Sequence, residues 1–134
     1  MESQEFDLIT PSDDNSLPPN SAIEQWCSLL ASGALSGGIN LRLKPAELET
    51  AMKEAGFVDI TVLEFKLPIG LWPVDPKLRE AGKFALGSML AGLHGISVAI
   101  FTRFLKWDVE EMELLLERVR GECKLRAVHC YWPM

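Results

Sequence analysis

Apolar residues recur at helical spacing in the first third of the chain. Ile23, Trp26, Cys27 and Leu30 form one stripe, as one face of an α-helix does. Asn20 or Ser21 is placed to cap its start, and Gly37-Gly38 ends it. A second stripe, Leu48, Met52 and Ala55, follows Pro45, a residue suited to a first helical turn, and Gly56 closes it. From Phe57 to Leu67 the pattern changes to β-branched and aromatic residues, which predicts a strand stopped by Pro68. Three prolines between Pro68 and Pro76 exclude regular structure there. Asp75-Pro76 then starts a helix, because the carboxylate accepts free amide protons and proline tolerates the first turn.

That helix is expected to run to about Leu93, break at His94-Gly95, and resume as a second apolar helix from Ile96 to Trp107. Asp108 with Glu111 makes an acidic capping box for a last helix, which turns Met112, Leu115, Leu116 and Val119 inward. The run Ala127 to Trp132 alternates like a strand. Ser3 to Leu8 reads as a short extended piece and Thr10 to Pro19 as a loop, so residues 1–19 form an N-terminal strand and loop. These elements make a single helix-dominated α+β domain over residues 1–134, with a small antiparallel sheet.

Composition sharpens this picture. Hydrophobic residues are 48% of 134, and the mean hydropathy is +0.11. That is rich for so small a chain, and it implies apolar surface that a partner or ligand covers. A net charge of −6 argues against nucleic acid and anionic membrane surfaces. Phe84 to Thr102 is 19 residues without a formal charge, long enough to test as a membrane span. Its histidine, serines and glycines favour buried helices, so no membrane is expected. Cys27, Cys123 and Cys130 are scattered, which predicts reduced thiols, and with an acidic, polar N-terminus the expected compartment is the cytoplasm.

Five phrases carry a resemblance. They are Ser12-Asp-Asp-Asn-Ser-Leu-Pro-Pro-Asn-Ser-Ala22, Glu54-Ala-Gly-Phe-Val-Asp-Ile60, Leu67-Pro-Ile-Gly-Leu-Trp-Pro-Val-Asp-Pro-Lys-Leu78, Phe101-Thr-Arg103 and His129-Cys-Tyr-Trp-Pro133. In order and spacing the chain resembles the C-terminal half of fungal class I methyltransferases related to the velvet-complex regulator of secondary metabolism. The family's S-adenosylmethionine (SAM) site lies in the other half, on a glycine-rich turn that brings backbone N–H groups to the cofactor. No Gly-x-Gly triplet occurs here, so the resemblance implies no cofactor and no stand-alone SAM methyltransferase. It also implies that a neighbouring strand is missing beside Phe57–Leu67, and hence a homodimer, with elements possible to exchange between copies.

Candidate chemistry rests on few residues. His94, at the expected helix break, titrates near neutral pH, although a helix-end cap is the plainer role. Arg103 ends an apolar helix and could anchor a carbonyl or enolate oxygen, or cap the helix. His129 and Tyr131 share one face of the terminal strand by alternation. The catalytic candidates are His94, Arg103 and Tyr131. The substrate-binding candidates are Trp72 in the proline-rich loop, Phe101, His129 and Met89. Asp13-Asp14 reads as a solvated turn. With two distant histidines and no Cys-x-x-Cys, no metal is expected. The expected function is cofactor-free handling of a hydrophobic small molecule in fungal natural-product biosynthesis, by cyclisation, isomerisation or cycloaddition. The alternatives are a dimerisation or docking module for a full-length methyltransferase or pathway enzyme, and the substrate half of a split methyltransferase.

Overall fold

The computed structural model describes residues 2–134. Three helices enclose one core, α1 (Ala22–Ser36), α3 (Pro76–Arg103) and α4 (Val109–Cys123), and a fourth, α2 (Pro45–Glu54), adds no residue to it. Two short strands, β1 (Lys66–Pro68) and β2 (Tyr131–Pro133), pair antiparallel with Leu67 opposite Trp132. The α+β class and the small antiparallel sheet read from the sequence are those of the structure.

The expected break at His94-Gly95 does not occur, and α3 is one continuous 28-residue helix. Its buried residues Gly82, Ala85, Met89, Leu93, Ser97 and Phe101 are three and four apart, so one unbroken stripe faces the core. Interior glycine costs a helix about 1 kcal/mol each, and burial of Leu93 and Phe101 at about 1.5–3 kcal/mol apiece outweighs it. Asp75 starts α3 as expected, accepting from the amides of Lys77 and Leu78 at 2.9 Å. By length and composition α3 could cross a membrane, and 28% of its most apolar window is buried in the fold.

The expected strands are shorter than their patterns. Of Phe57–Leu67 only Lys66 and Leu67 pair within β1, and of Ala127–Trp132 only Tyr131 and Trp132 lie in β2. Phe65 and Met134 extend the ladder by exchanging both backbone bonds (2.8 and 2.9 Å). On the far edge of β2, Asp7 donates to Pro133 O (2.9 Å) and Tyr131 donates to Pro11 O (3.2 Å). The N-terminal segment therefore flanks β2 opposite β1. β propensity needs a partner strand to become a strand, and residues 58–64 make no backbone–backbone hydrogen bond among the described residues.

Two buried polar contacts lock the helices together. Trp26 Nε1 of α1 donates to Ser97 Oγ of α3 (2.8 Å), and Ser97 passes its own proton to Leu93 O (2.6 Å). Glu122 of α4 is buried and accepts from the hydroxyl of Ser21 and the amide of Ala22 (2.6 Å for the latter) at the start of α1. Ser97→Ala leaves the indole N–H buried without an acceptor, and urea unfolding should show a loss of about 1–3 kcal/mol.

Candidate functional site

The loop over residues 11–17, β2 and the start of β1 bring a polar cluster together. Asp13 accepts from the Tyr131 hydroxyl (2.8 Å) and from Lys66 Nζ (2.5 Å). The Lys66 ammonium also lies 4.8 Å from the centroid of the Tyr131 ring, a cation–π contact. Asp14 is held on one oxygen by Ser12 Oγ (2.7 Å) and the Ser16 amide (3.1 Å), and its other oxygen meets His129 Nδ1 at 2.5 Å. The His129 amide donates to Ser16 Oγ (2.7 Å). The ring stacks on Trp72 at 5.1 Å, and Trp72 Nε1 is fixed by Cys130 O (3.1 Å). His129 and Tyr131 reach neighbouring aspartates of one loop, Tyr131 from β2 and His129 from the residues just before it.

The cluster is exposed and ionic. Hydrogen bonds from Lys66 and then Tyr131 hold the Asp13 carboxyl below its ordinary value, and Asp13 in turn raises Lys66. Ser12, Ser16 and His129 hold Asp14 well below the usual carboxylate range. Groups whose folded pKa is depressed stabilise the fold above their unfolded value and lose that contribution as pH falls. Acid titration from about pH 5 to pH 2 should therefore lower the thermal midpoint of the native chain. Asp14→Asn should flatten that limb and leave the neutral-pH midpoint lower; an unchanged slope would remove the cluster from the acid response.

Of the residues singled out in the sequence, the fold gathers Trp72, His129 and Tyr131. The others lie elsewhere. His94 sits mid-way along α3 with its ring about half exposed, and its Nδ1 pairs with Glu113 of α4. Glu113 also meets Arg120 (3.1 Å), and first His94 and then Arg120 lower its carboxyl pKa. Arg103 is exposed in the last turn of α3. Phe101 is fully buried edge-on to Trp107 (centroids 5.2 Å apart), and Met89 is buried with its sulfur 3.8 Å from Cys123 Sγ. Sequence reasoning missed Asp13, Asp14, Lys66, Ser12 and Ser16. The available signal was the Ser-Asp-Asp-Asn-Ser run itself, dense in side chains that bond their own backbone.

Beside the cluster lies an open groove of about 790 Å³, lined by residues 2–7, by α2 with the residues before it, by residues 57–66, and by Tyr131, Pro133 and Met134. Leu48 and Met52 of α2 look onto it, as do Phe57, Val62 and Phe65. α2 buries no residue completely, and Val58, Leu63 and Phe65 are 82%, 67% and 58% exposed; exposed apolar residues also lie away from the groove, among them Phe84 of α3 and Leu114 of α4.

Helix N-termini are ready anion sites, and three of the four here already hold protein side chains: Ser21 with Glu122 on α1, Asp75 on α3 and Asp108 on α4. The fourth, on α2, follows Lys44 without a side-chain cap and begins with proline. Among the described residues no three His, Cys, Asp or Glu side chains group to hold a metal. Burial pushes the thiols of Cys27 and Cys123 up to about 12 and Cys130 to about 11, so none is a ready nucleophile.

Comparison with known proteins finds relatives among fungal secondary-metabolism proteins. The chain is 33% identical to a probable methyltransferase, tdiE, of Emericella nidulans, over 100% of this chain and 42% of that protein. It is 33% identical to the methyltransferase pytC of Aspergillus terreus, over 96% of this chain and 40% of that protein. It is 29% identical to the secondary metabolism regulator LAE1 of Cochliobolus heterostrophus, over 98% of this chain and 43% of that protein. The chain thus spans about two fifths of the length of these relatives. No family model matches it. No solved structure matches either.

Proposed function

Because the chain is related over its whole length to part of the fungal secondary-metabolism methyltransferases and regulators, we propose that it is the substrate-side half of a methyltransferase-like fold, completed by a cofactor-side half outside these residues. One observation carries this reading: residues 58–64, rich in β formers, make no backbone–backbone hydrogen bond among the described residues and leave apolar side chains exposed beside the groove. A lone domain gains nothing from that arrangement, because an open edge invites pairing with another chain. In the completed fold α3 serves as a core helix in an aqueous compartment.

Calorimetry with SAM tests the reading. The chain alone should give no heat of binding, and saturable binding should appear only when a polypeptide carrying a glycine-rich cofactor turn is added. Micromolar SAM affinity of the chain alone would refute it.

A second reading has its own support. Lys66 and Tyr131 line the groove and share Asp13, and the next residue, Asp14, meets His129 where it stacks on Trp72. Such a face suits cofactor-free positioning of a hydrophobic small molecule, whose oxygen Lys66 or Tyr131 would polarise during cyclisation, isomerisation or cycloaddition. Incubating the chain with linear polyketide precursors, without SAM, separates the two. Products beyond the buffer control that vanish in Tyr131→Phe favour the second reading.

A further inference from the structure

The apolar run of α3 has two sides. One is the buried stripe that includes Met89, Leu93 and Ser97, yet only 28% of the most apolar 18-residue window is buried. On the other side Phe84, Ser88, Ala91 and Gly95 are exposed and Ala99 is half-buried. These follow one another at steps of three or four residues, so they line one flank of the helix, away from the core stripe. Phe84 is 69% exposed. A Cβ added at Gly95 would meet nothing within 4 Å. The flank is bare, apolar and, past Phe84, made of small residues.

Its charges stand only at its two ends. No formal charge occurs between Lys83 and Arg103. Glu80 lies one turn before Phe84, and Arg103 one turn after Ala99, both on this flank by the spacing of four. Both are exposed, and neither takes part in an ion pair among the described residues. Lys83 is turned about 100° from Phe84 and lies off the flank. Lys77, one turn further out than Glu80, meets no helix in an antiparallel pair, because α3 ends at Arg103.

Such a flank is complementary to itself. We infer that it is a self-association surface, on which two copies of this chain dock their α3 helices antiparallel about a two-fold axis between Ala91 and Gly92. In that arrangement Glu80 meets the partner's Arg103 at both ends. Phe84 lies against the partner's Ala99, and Ser88 against the partner's Gly95. A large side chain meets a small one, and each charge meets its opposite. Small residues at the crossing let the two axes approach to about 8 Å. A two-fold axis makes every one of these contacts twice. A parallel pair would instead set Glu80 against Glu80 and Arg103 against Arg103, and like charges repel. Charge therefore selects both the second copy and its direction. This homodimer uses a different face from the one expected beside Phe57–Leu67.

Sedimentation equilibrium of the full chain, from about 1 to 200 μM, tests the surface, and the native chain should dimerise with a micromolar Kd. Glu80→Arg should weaken the dimer by about tenfold or more, because it sets two cations against each other at both ends, and Arg103→Glu should do the same with anions. The double variant, Glu80→Arg with Arg103→Glu, should recover the native constant to within about threefold. Gly95→Lys enters open space in the single chain, so it should keep the native circular dichroism and abolish the dimer. A native chain that stays monomeric throughout, or a double variant no tighter than the single ones, would overturn the surface. Two results would overturn the choice of a second copy: flotation of the native chain, but not of Gly95→Lys, with phosphatidylcholine vesicles, and loss of the dimer on adding a polypeptide with a glycine-rich cofactor turn. SAM calorimetry reads the half-fold proposal independently of all of these.

Discussion

Gly82→Ala should cost about 3–5 kcal/mol of stability, enough to leave a small domain largely unfolded. At Gly82 the helix α3 touches the loop after β1. A Cβ there would stand 2.2 Å from Gly70 O and 3.4 Å from Pro68 O. These are backbone atoms that no rotamer change can move. The contact is also bonded, since Gly70 N donates to Gly82 O at 3.0 Å, and Gly70 itself sits at φ +103°, a conformation that glycine adopts without strain. An added methyl must therefore push α3 off the sheet and break that bond together. Urea denaturation reads the effect. Gly87→Ala on the same helix, where an added Cβ meets nothing within 4 Å, is the control and should be neutral or stabilising by up to about 1 kcal/mol.

Glu122→Ala should cost about 2–4 kcal/mol. Glu122 is 9% exposed and serves the start of a helix a hundred residues earlier in the chain, accepting from Ser21 Oγ and the Ala22 amide. Two forces combine: charge-assisted hydrogen bonds, at about 1.5–3 kcal/mol, and the attraction between a carboxylate and the positive end of a helix. Truncation removes both and leaves donors buried without acceptors. Glu122→Gln keeps an acceptor oxygen and the shape, and should recover roughly half of the loss. Chemical denaturation of the two variants side by side separates the contribution of charge from that of the bond.

Local rules were enough to read much of this fold from the sequence. Ser21, Asp75 and Asp108 each start the helix expected of them, because a capping side chain bonds amides two or three residues away. The inward faces of α1 and α4 followed from spacing alone, and Met112, Leu115, Leu116 and Val119 are buried as that spacing requires. What the sequence hid depends on distant partners. His94-Gly95 has the local character of a break, yet the packing of Leu93, Ser97 and Phe101 carries the helix through it. Phe57–Leu67 has the composition of a strand, but composition cannot provide the neighbour that strand bonds require, and residues 58–64 have none among the described residues.

The site was legible to the same limit. Alternation placed His129 and Tyr131 on one face, and the structure leads each to an aspartate of the same loop. Asp13 and Asp14 look like a solvated turn in sequence because their partners Lys66, His129 and Tyr131 lie 53 to 118 residues away. No periodicity connects such positions. Only the fold does.

Amide hydrogen exchange resolved by residue, on the dilute chain by itself, bears most directly on the claim that one edge of this domain is open to a further strand. Phe65, tied to Met134, and the helical amides of α1 should be protected, and Ile60 to Glu64 should exchange at the rates of unstructured peptide. Protection of Ile60 to Glu64 equal to that of α1 in a monomeric chain would mean the edge is already paired, and the account of an open half would be wrong.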